Sequence, residues 1–456
     1  MPSKTPRGPV ELPEELLQHI FSFLHETGDL RDLDEDRDAR LGLYTLVNVA
    51  LTNKAYNRVV RPELYHTLLV EDDPNAIRPL LLLMTLVNQA DTGNLVREVY
   101  SGRWSLDPSN RDQRPPPTFG DILSRVLHDP ARVAALSWPF DMTAVAQCPP
   151  HAVIARILPL MPRLRLLAFS VTGLVAHSLI MDALRHVSLP ELSEVQVACE
   201  DLGPMDQFIE LLQRPALRTF RAQGVQCEDE STTTLATSSL SPKLERVFFE
   251  ESFLDAIGVA RLLVSAPGVK ILSIHWASGI SGDSNIEFGA IGRALRDHGL
   301  KLEGLYLSTE DADVADNTLN PNSSLGDLKD LVLLRQLALP HYALCGQEDD
   351  GQIAERSRDY LTKILPRSLH SLEIRLPKNI EMIGMSEDGL YAEDQVHMGY
   401  KTLDLQLVEL MRSQRHQELL RLIVHRYDEF TCLEDAEALG WSLLRDGETF
   451  TLRRRE

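Results

Sequence analysis

MDQFIELLQRPALRTFRA, residues 205–222, contains a helix, a stop and a strand in eighteen positions. Met205, Phe208, Ile209, Leu211 and Leu212 recur at spacings of three and four, which puts one apolar stripe on a helix. Pro215 cannot extend that helix, because its ring removes the donor N–H and collides with the preceding turn. Then come Leu217, Phe220 and Ala222. The last two are two positions apart, so in an extended strand they point the same way and can be buried together. Leu217 falls in the turn that leads into the strand.

The strand pattern recurs along most of the chain. It appears as VAALSW (Val133, Leu136, Trp138), LRLLAF (Leu164, Leu167, Phe169), LSEVQV (Leu192, Val195, Val197) and LERVFF (Leu244, Val247, Phe249). It continues as VKILSI (Val269, Leu272, Ile274), LEGLYL (Leu302, Leu305, Leu307), LRQLAL (Leu334, Leu337, Leu339), LHSLEI (Leu369, Leu372, Ile374) and LLRLIV (Leu419, Leu422, Val424). Helical periodicity precedes many of these strands, in HAVIARILPLM, SLIMDALRHV, GAIGRALRDHG, RSRDYLTKIL and LQLVELMRSQ, with Pro or Gly often between. Over most of the array the starts lie about 25 to 35 residues apart, the period of leucine-rich repeats. One such unit cannot bury its own apolar face, whereas stacked units share a continuous core. Each fully buried Leu or Val contributes about 1.5–3 kcal/mol, so the array needs neither metal nor disulfide. The expected fold is α/β: an irregular horseshoe solenoid with strands on the concave side and helices on the convex side. Irregularity is expected because the Asn or Cys that bonds the turn in the usual repeat is replaced. Those positions hold Thr172, Glu200, Val225, Ser252, Ala277, Glu310, Tyr342 and Pro377.

The N-terminal stretch VELPEELLQHIFSFL places Leu12, Leu16, Leu17, Ile20, Phe21 and Leu24 on a helical pattern, with Pro13 at its start. LYTLVNVALTNKAYNRVV comes next, read as one or two further helices ended by Arg61-Pro62, and PELYHTLLV then enters a strand. These phrases, from Val10 to about Val70, resemble an F-box, the module by which substrate receptors bind the Skp-type adaptor of SCF ubiquitin ligases. The order, F-box then repeats, is similar to that of fungal-type F-box receptors. Tyr56 replaces the usual Trp, Thr52-Asn53 replaces a frequent Cys-Arg, and an acidic insert, GDLRDLDEDRDARLG, widens the segment. The expected organisation is a docking module over residues 10–70 and a solenoid over 71–456. The resemblance implies adaptor contacts from Leu12, Pro13, Leu16, Leu17, Ile20, Leu24, Leu46 and Val49, with a cullin held through the adaptor. It implies a non-enzymatic receptor, the alternative being a leucine-rich scaffold or regulator outside any ligase. An N-terminal helix that merely caps the array remains open too.

A substrate protein is expected on the strand face, at positions between and just after the buried pairs: Arg221, Gln223, Phe248, Glu250, His275, Tyr306, Glu373 and Arg375. The acidic insertions STEDADVADNTLNPNSS, CGQEDDGQ and PKNIEMIGMSEDGLYAEDQVHMGYK hint at a basic substrate. The formal net charge of −21 argues against nucleic acid, whose phosphates it would repel. No apolar run is long enough to span a bilayer, and no secretory leader is seen. The scattered Cys148, Cys199, Cys227, Cys345 and Cys432 form no CxxC pair and suggest a reducing compartment, cytosolic or nuclear. HExxH, Walker, GxSxG and paired-Cys zinc patterns are lacking, so no metal or cofactor is expected. Phe288-Gly289-Ala290-Ile291-Gly292 reads as the opening of a helix rather than a phosphate loop, and Arg453-Arg454-Arg455 reads as a frayed end.

Overall fold

A computed structural model describes residues 13–22, 37–70, 82–83, 85–86, 89–101, 155–171, 173–227, 240–276, 286–309, 324–346, 356–376, 393–425, 430–447 and 449–455. The chain divides into two compact units, Met1–Gln196 and Val197–Glu456.

The first unit opens with three helices, α1 (Glu14–Ser22), α2 (Arg37–Thr52) and α3 (Lys54–Leu64). Phe21, Leu46, Ala50, Val59 and Val60 form their common core, with Leu17, Val49 and Leu64 packed at its margin. The turn between α2 and α3 explains two of the unusual residues. Asn53 caps α3, its Oδ1 accepting from the Tyr56 N–H at 2.8 Å, which satisfies one of the donors a helix start leaves open. Tyr56 sets its ring edge-on to Phe21, with centroids 6.4 Å apart. Contrary to expectation, α3 does not stop at Arg61-Pro62. Proline's φ suits a helix and costs one internal bond, and the turn closes when Tyr65 N–H donates to the Arg61 carbonyl at 3.2 Å.

Beyond the helices, β1 (Thr67–Val70), β2 (Glu98–Ser101) and β3 (Leu166–Val171) pair in parallel and in register. β2 is a repeat the sequence pattern concealed. Val96 and Val99 are buried as a leucine pair would be, but the third position is Ser101. The expected VAALSW strand lies outside the described residues. A short helical turn, α4 (Ala90–Gly93), and α5 (Gly173–His186) lie in the connections. β4 (Glu194–Pro204) begins in the first unit and runs into the second.

In the second unit β5 (Thr219–Cys227), β6 (Arg246–Leu254), β7 (Ile271–Trp276), β8 (Gly304–Ser308), β9 (Gln336–Pro340), β10 (Ser371–Arg375) and β11 (Arg421–His425) succeed one another in parallel. The three apolar positions of each repeat form three buried rows. Leu217, Leu244, Val269, Leu302, Leu334, Leu369 and Leu419 make the first, none more than 2% exposed. MDQFIELLQR folds as a 3-10 turn, Met205–Phe208, and one α turn, α6 (Ile209–Leu212), tighter than its periodicity suggested. Longer helices, α7 (Ala256–Ser265) and α8 (Phe288–His298), pack side by side. Gly292 in α8 lies so close to the next connection that a Cβ would stand 1.9 Å from the Leu325 carbonyl oxygen. Its place in the FGAIG stretch is thus a matter of helix packing.

Two hydrogen-bonding devices replace the missing asparagine ladder. At the strand entrances each turn carbonyl accepts from two successive N–H groups of the next repeat. Arg218, Glu245, Lys270, Glu303, Arg335 and His370 form this ladder at 2.7–3.1 Å. Further along, Ser252 Oγ accepts from the Val225 N–H at 3.0 Å and donates to the Glu250 carbonyl at 2.7 Å. Ser252 therefore bridges two repeats as an asparagine would.

The C-terminal part of the second unit carries α9 (His341–Cys345), α10 (Tyr360–Ile364), α11 (Glu393–Arg412), α12 (Leu433–Ala438), β12 (Trp441–Asp446) and β13 (Thr449–Arg454). β13 pairs antiparallel with both β11 and β12. The expected frayed end is therefore corrected: Arg453 and Arg454 belong to a strand. Phe450 and Leu452 are buried beneath it, which pins the segment.

Candidate functional site

Two surfaces stand out, one in each unit. In the helical module the apolar residues divide into a buried set and an open set. Pro13 is exposed, as are Leu16 at 49% and Ile20 at 47% on α1. On α2, Val47 and Leu51 sit four residues apart and are 37% and 77% exposed. Four large aliphatic side chains on a module this small represent apolar area that water solvates at a cost. Of the positions marked by the F-box resemblance, Leu12 and Leu24 lie outside the described residues. Pro13, Leu16 and Ile20 are open. Leu17 and Val49 are half-buried against the core. Leu46 is corrected: at 1% exposure it holds the three helices together and has no free surface to offer. Val47 and Leu51 were overlooked, although their i, i+4 spacing marks a second stripe on the same helix. Arg58 on α3 reaches Glu14 on α1 at 2.8 Å, an exposed clasp between the helices.

The second surface is the solvent side of β5 to β13. Register aligns its residues in rows. One row runs Arg221, Phe248, Ser273, Tyr306, Ala338, Glu373, Ile423, Thr451 and Leu444. Arg221, Phe248, Glu250, His275, Tyr306 and Glu373 all lie partly exposed on this side, and so do Gln223 and Arg375. They are not free-standing contacts. The Arg221 guanidinium lies 3.9 Å above the centre of the Phe248 ring and covers it. Gln223 donates to Glu251 at 3.2 Å, beside a bulge where Glu251 takes a left-handed φ of 43°. Tyr306 bonds the Gln336 side chain through its hydroxyl. Its ring folds back over Gly304, where an added Cβ would meet it at 3.1 Å. Burial and the nearby Glu373 carboxylate both raise the Tyr306 hydroxyl's pKa.

Further along, Glu373 accepts from Arg375 at 2.8 Å and from His425 Nε2 at 3.1 Å. His425 Nδ1 meets the Thr449 hydroxyl at 3.0 Å. The His425 hydrogen bond first, and then the Arg375 charge, hold the Glu373 carboxyl down at about 2 against the effect of burial. Among the described residues no group of His, Cys, Asp and Glu is arranged to hold a metal ion, and no helix is long and apolar enough to cross a membrane. Cys199, Cys227 and Cys345 are buried free thiols. Burial pushes Cys227 and Cys345 up to about 12, so neither offers a thiolate near neutral pH.

A compact helical module with an open apolar stripe, ahead of parallel repeats with a polar strand face, defines a protein built from interaction modules. More particularly, residues 10–71 match the family model of F-box-like domains, and this segment is an F-box-like domain. The described residues beyond it form a mostly parallel sheet that is not closed. No curated protein matches the chain. Among solved structures it is similar to an internalin of Listeria monocytogenes, at 13% identity over 50% of this chain and 72% of that one, with a TM-score of 0.27. It is also similar to TLR13 in a complex with ssRNA13, at 15% identity over 64% of this chain and 38% of that one, with a TM-score of 0.30.

Proposed function

We propose that the protein is the substrate-recognition subunit of an SCF-type ubiquitin ligase, with the F-box-like domain gripping a Skp-type adaptor and the strand face holding the protein to be modified. One observation carries this reading: the F-box-like domain leaves Leu16, Ile20, Val47 and Leu51 open to water although its own core is complete without them. A helical stripe of this kind docks into an apolar groove of a partner. The receptor catalyses nothing in this reading. It holds the substrate near a ubiquitin-charged enzyme and so raises the effective concentration of reacting groups. Its place of action is the cytosol or nucleus, where such ligases work.

The test is affinity capture from cells with the full chain and with Ile20→Glu. The charge should abolish recovery of the adaptor and of the cullin while leaving the melting transition unchanged, because Ile20 is not part of the core. Undiminished recovery of both would overturn the assignment of this face. Recovery of the adaptor without a cullin would instead place the protein outside a ligase.

A further inference from the structure

β11 and β13 run antiparallel, and their register sets Arg421 directly opposite Arg453. Directly opposed residues on an antiparallel pair share one face, with Cβ atoms about 5 Å apart, and like charges there repel. Both arginines are exposed. Among the described residues neither makes an ion pair, in a chain that has 67 acidic side chains to offer. Two acids at this end of the sheet have other neighbours. Glu373 turns to Arg375 and His425 in the adjoining rows, and Glu418 faces His370 at 3.8 Å.

The neighbours in the same row add hydroxyl and amide groups rather than negative charge. Ser371 pairs with Arg421 on one side, and Ser442 pairs with Arg453 on the other. Gln336 stands beyond Ser371. The row is thus Gln336, Ser371, Arg421, Arg453 and Ser442, a polar line without an acid across five strands. In the adjoining row Leu444, 60% exposed, comes after Ile423 and Thr451. The result is a doubly cationic spot with a small apolar shelf beside it.

We infer that the Arg421–Arg453 pair is a binding site for the carboxylates of an acidic segment in a partner protein. Each guanidinium presents forked donors that fit carboxylate oxygens two at a time. The incoming charge relieves the repulsion that the register imposes, and Leu444 offers contact to an apolar residue next to the acid. The acidic insertions hinted at a basic substrate; the strand face points the other way at this end. The inference rests on reading the strand face as the partner-binding surface, but it does not require the ligase.

The experiment uses the full chain and three fluorescent peptides of one sequence, carrying Glu, Gln or phosphoserine at the same alternate positions. Anisotropy titrations at low and high salt would be run with the wild-type chain, Arg421→Gln/Arg453→Gln, and the exposed Arg293→Gln as a control. The Glu peptide should bind, weaken with salt, and lose about tenfold or more in affinity in the double variant but not in the control. The Gln peptide should not bind. The double variant should melt no lower than the wild type, since the substitution removes a repulsion. Equal binding of the Glu peptide by wild type and double variant, equal binding of the Gln peptide, or binding of the phosphoserine peptide alone would each overturn the carboxylate site. Adaptor capture by the same double variant reports on the ligase reading separately, because that reading depends on Ile20 and not on these arginines.

Discussion

The F-box-like module and the strand face of the second unit are both open to water, yet they are built on opposite principles. On the module, Leu16, Ile20, Val47 and Leu51 are exposed and have nothing to bond with. On the strand face from β5 to β10 large side chains hold one another: Arg221 covers Phe248, Tyr306 bonds Gln336, and Glu373 is held by Arg375 and His425. A partner that covers the first surface gains about 25 cal/mol for each Å² of apolar area removed from water, with little demand on orientation beyond shape. A partner that covers the second must match or replace bonds already made, which rewards a correct fit more than it rewards area. One surface suits a constant companion, the other a chosen one.

The sharpest break of this contrast lies beneath the strand face. Phe249 is fully buried and stacks edge-on to Phe220 at 6.3 Å. Phe249→Ala should cost about 3–5 kcal/mol, read as a lower urea midpoint of the repeat array. Next comes the division of labour on α2. Leu46→Ala should cost about 2–5 kcal/mol of module stability, because the side chain fills the three-helix core. Leu51→Ser should change stability by no more than about 0.5 kcal/mol while weakening adaptor capture. If both changes destabilised the module equally, the open stripe would belong to its fold and not to docking.

The smallest effect is a pH dependence on the strand face. Glu373's carboxyl is held at about 2 against its ordinary 4.5. A carboxyl lowered in the folded state adds stability above its unfolded value and loses it as pH falls through the folded one. Thermal melts should therefore show Glu373's contribution intact above about pH 4.5 and eroding down to about pH 2, the two limits set by that depression. Glu373→Gln should flatten this segment of the profile, and a profile unchanged by the substitution would remove Glu373 from the network.

Most of the architecture was readable because burial imposes period. The three positions of LERVFF, LEGLYL or LHSLEI are apolar in each strand from β3 to β11, and the stops fall where the helices end. VREVYS escaped because a serine closes it, and the structure buries Ser101 at 4% exposure where a leucine was sought. The F-box phrases located the module but not its helical phase. Leu46 and Leu51 are both aliphatic residues of one helix, and only the packing of α3 decides which faces inward. The Arg421–Arg453 pair is not a matter of period, because it depends on a chain reversal that brings β13 back beside β11. A clue was present in Asp446-Gly447 between alternating segments, a common signature of a tight reversal; Gly447 takes a φ of 57° there.

The turn-carbonyl ladder has a consequence for how such a chain can change length. Leu192 and Leu217 are 25 residues apart, whereas Leu369 and Leu419 are 50, yet both intervals span neighbouring strands. The spacing between rungs is set by backbone bonds at the strand entrance, so extra residues are absorbed on the return path without shifting the row. New segments can therefore be spliced into the connections, by evolution or at the bench, while the outward-facing residues keep their addresses.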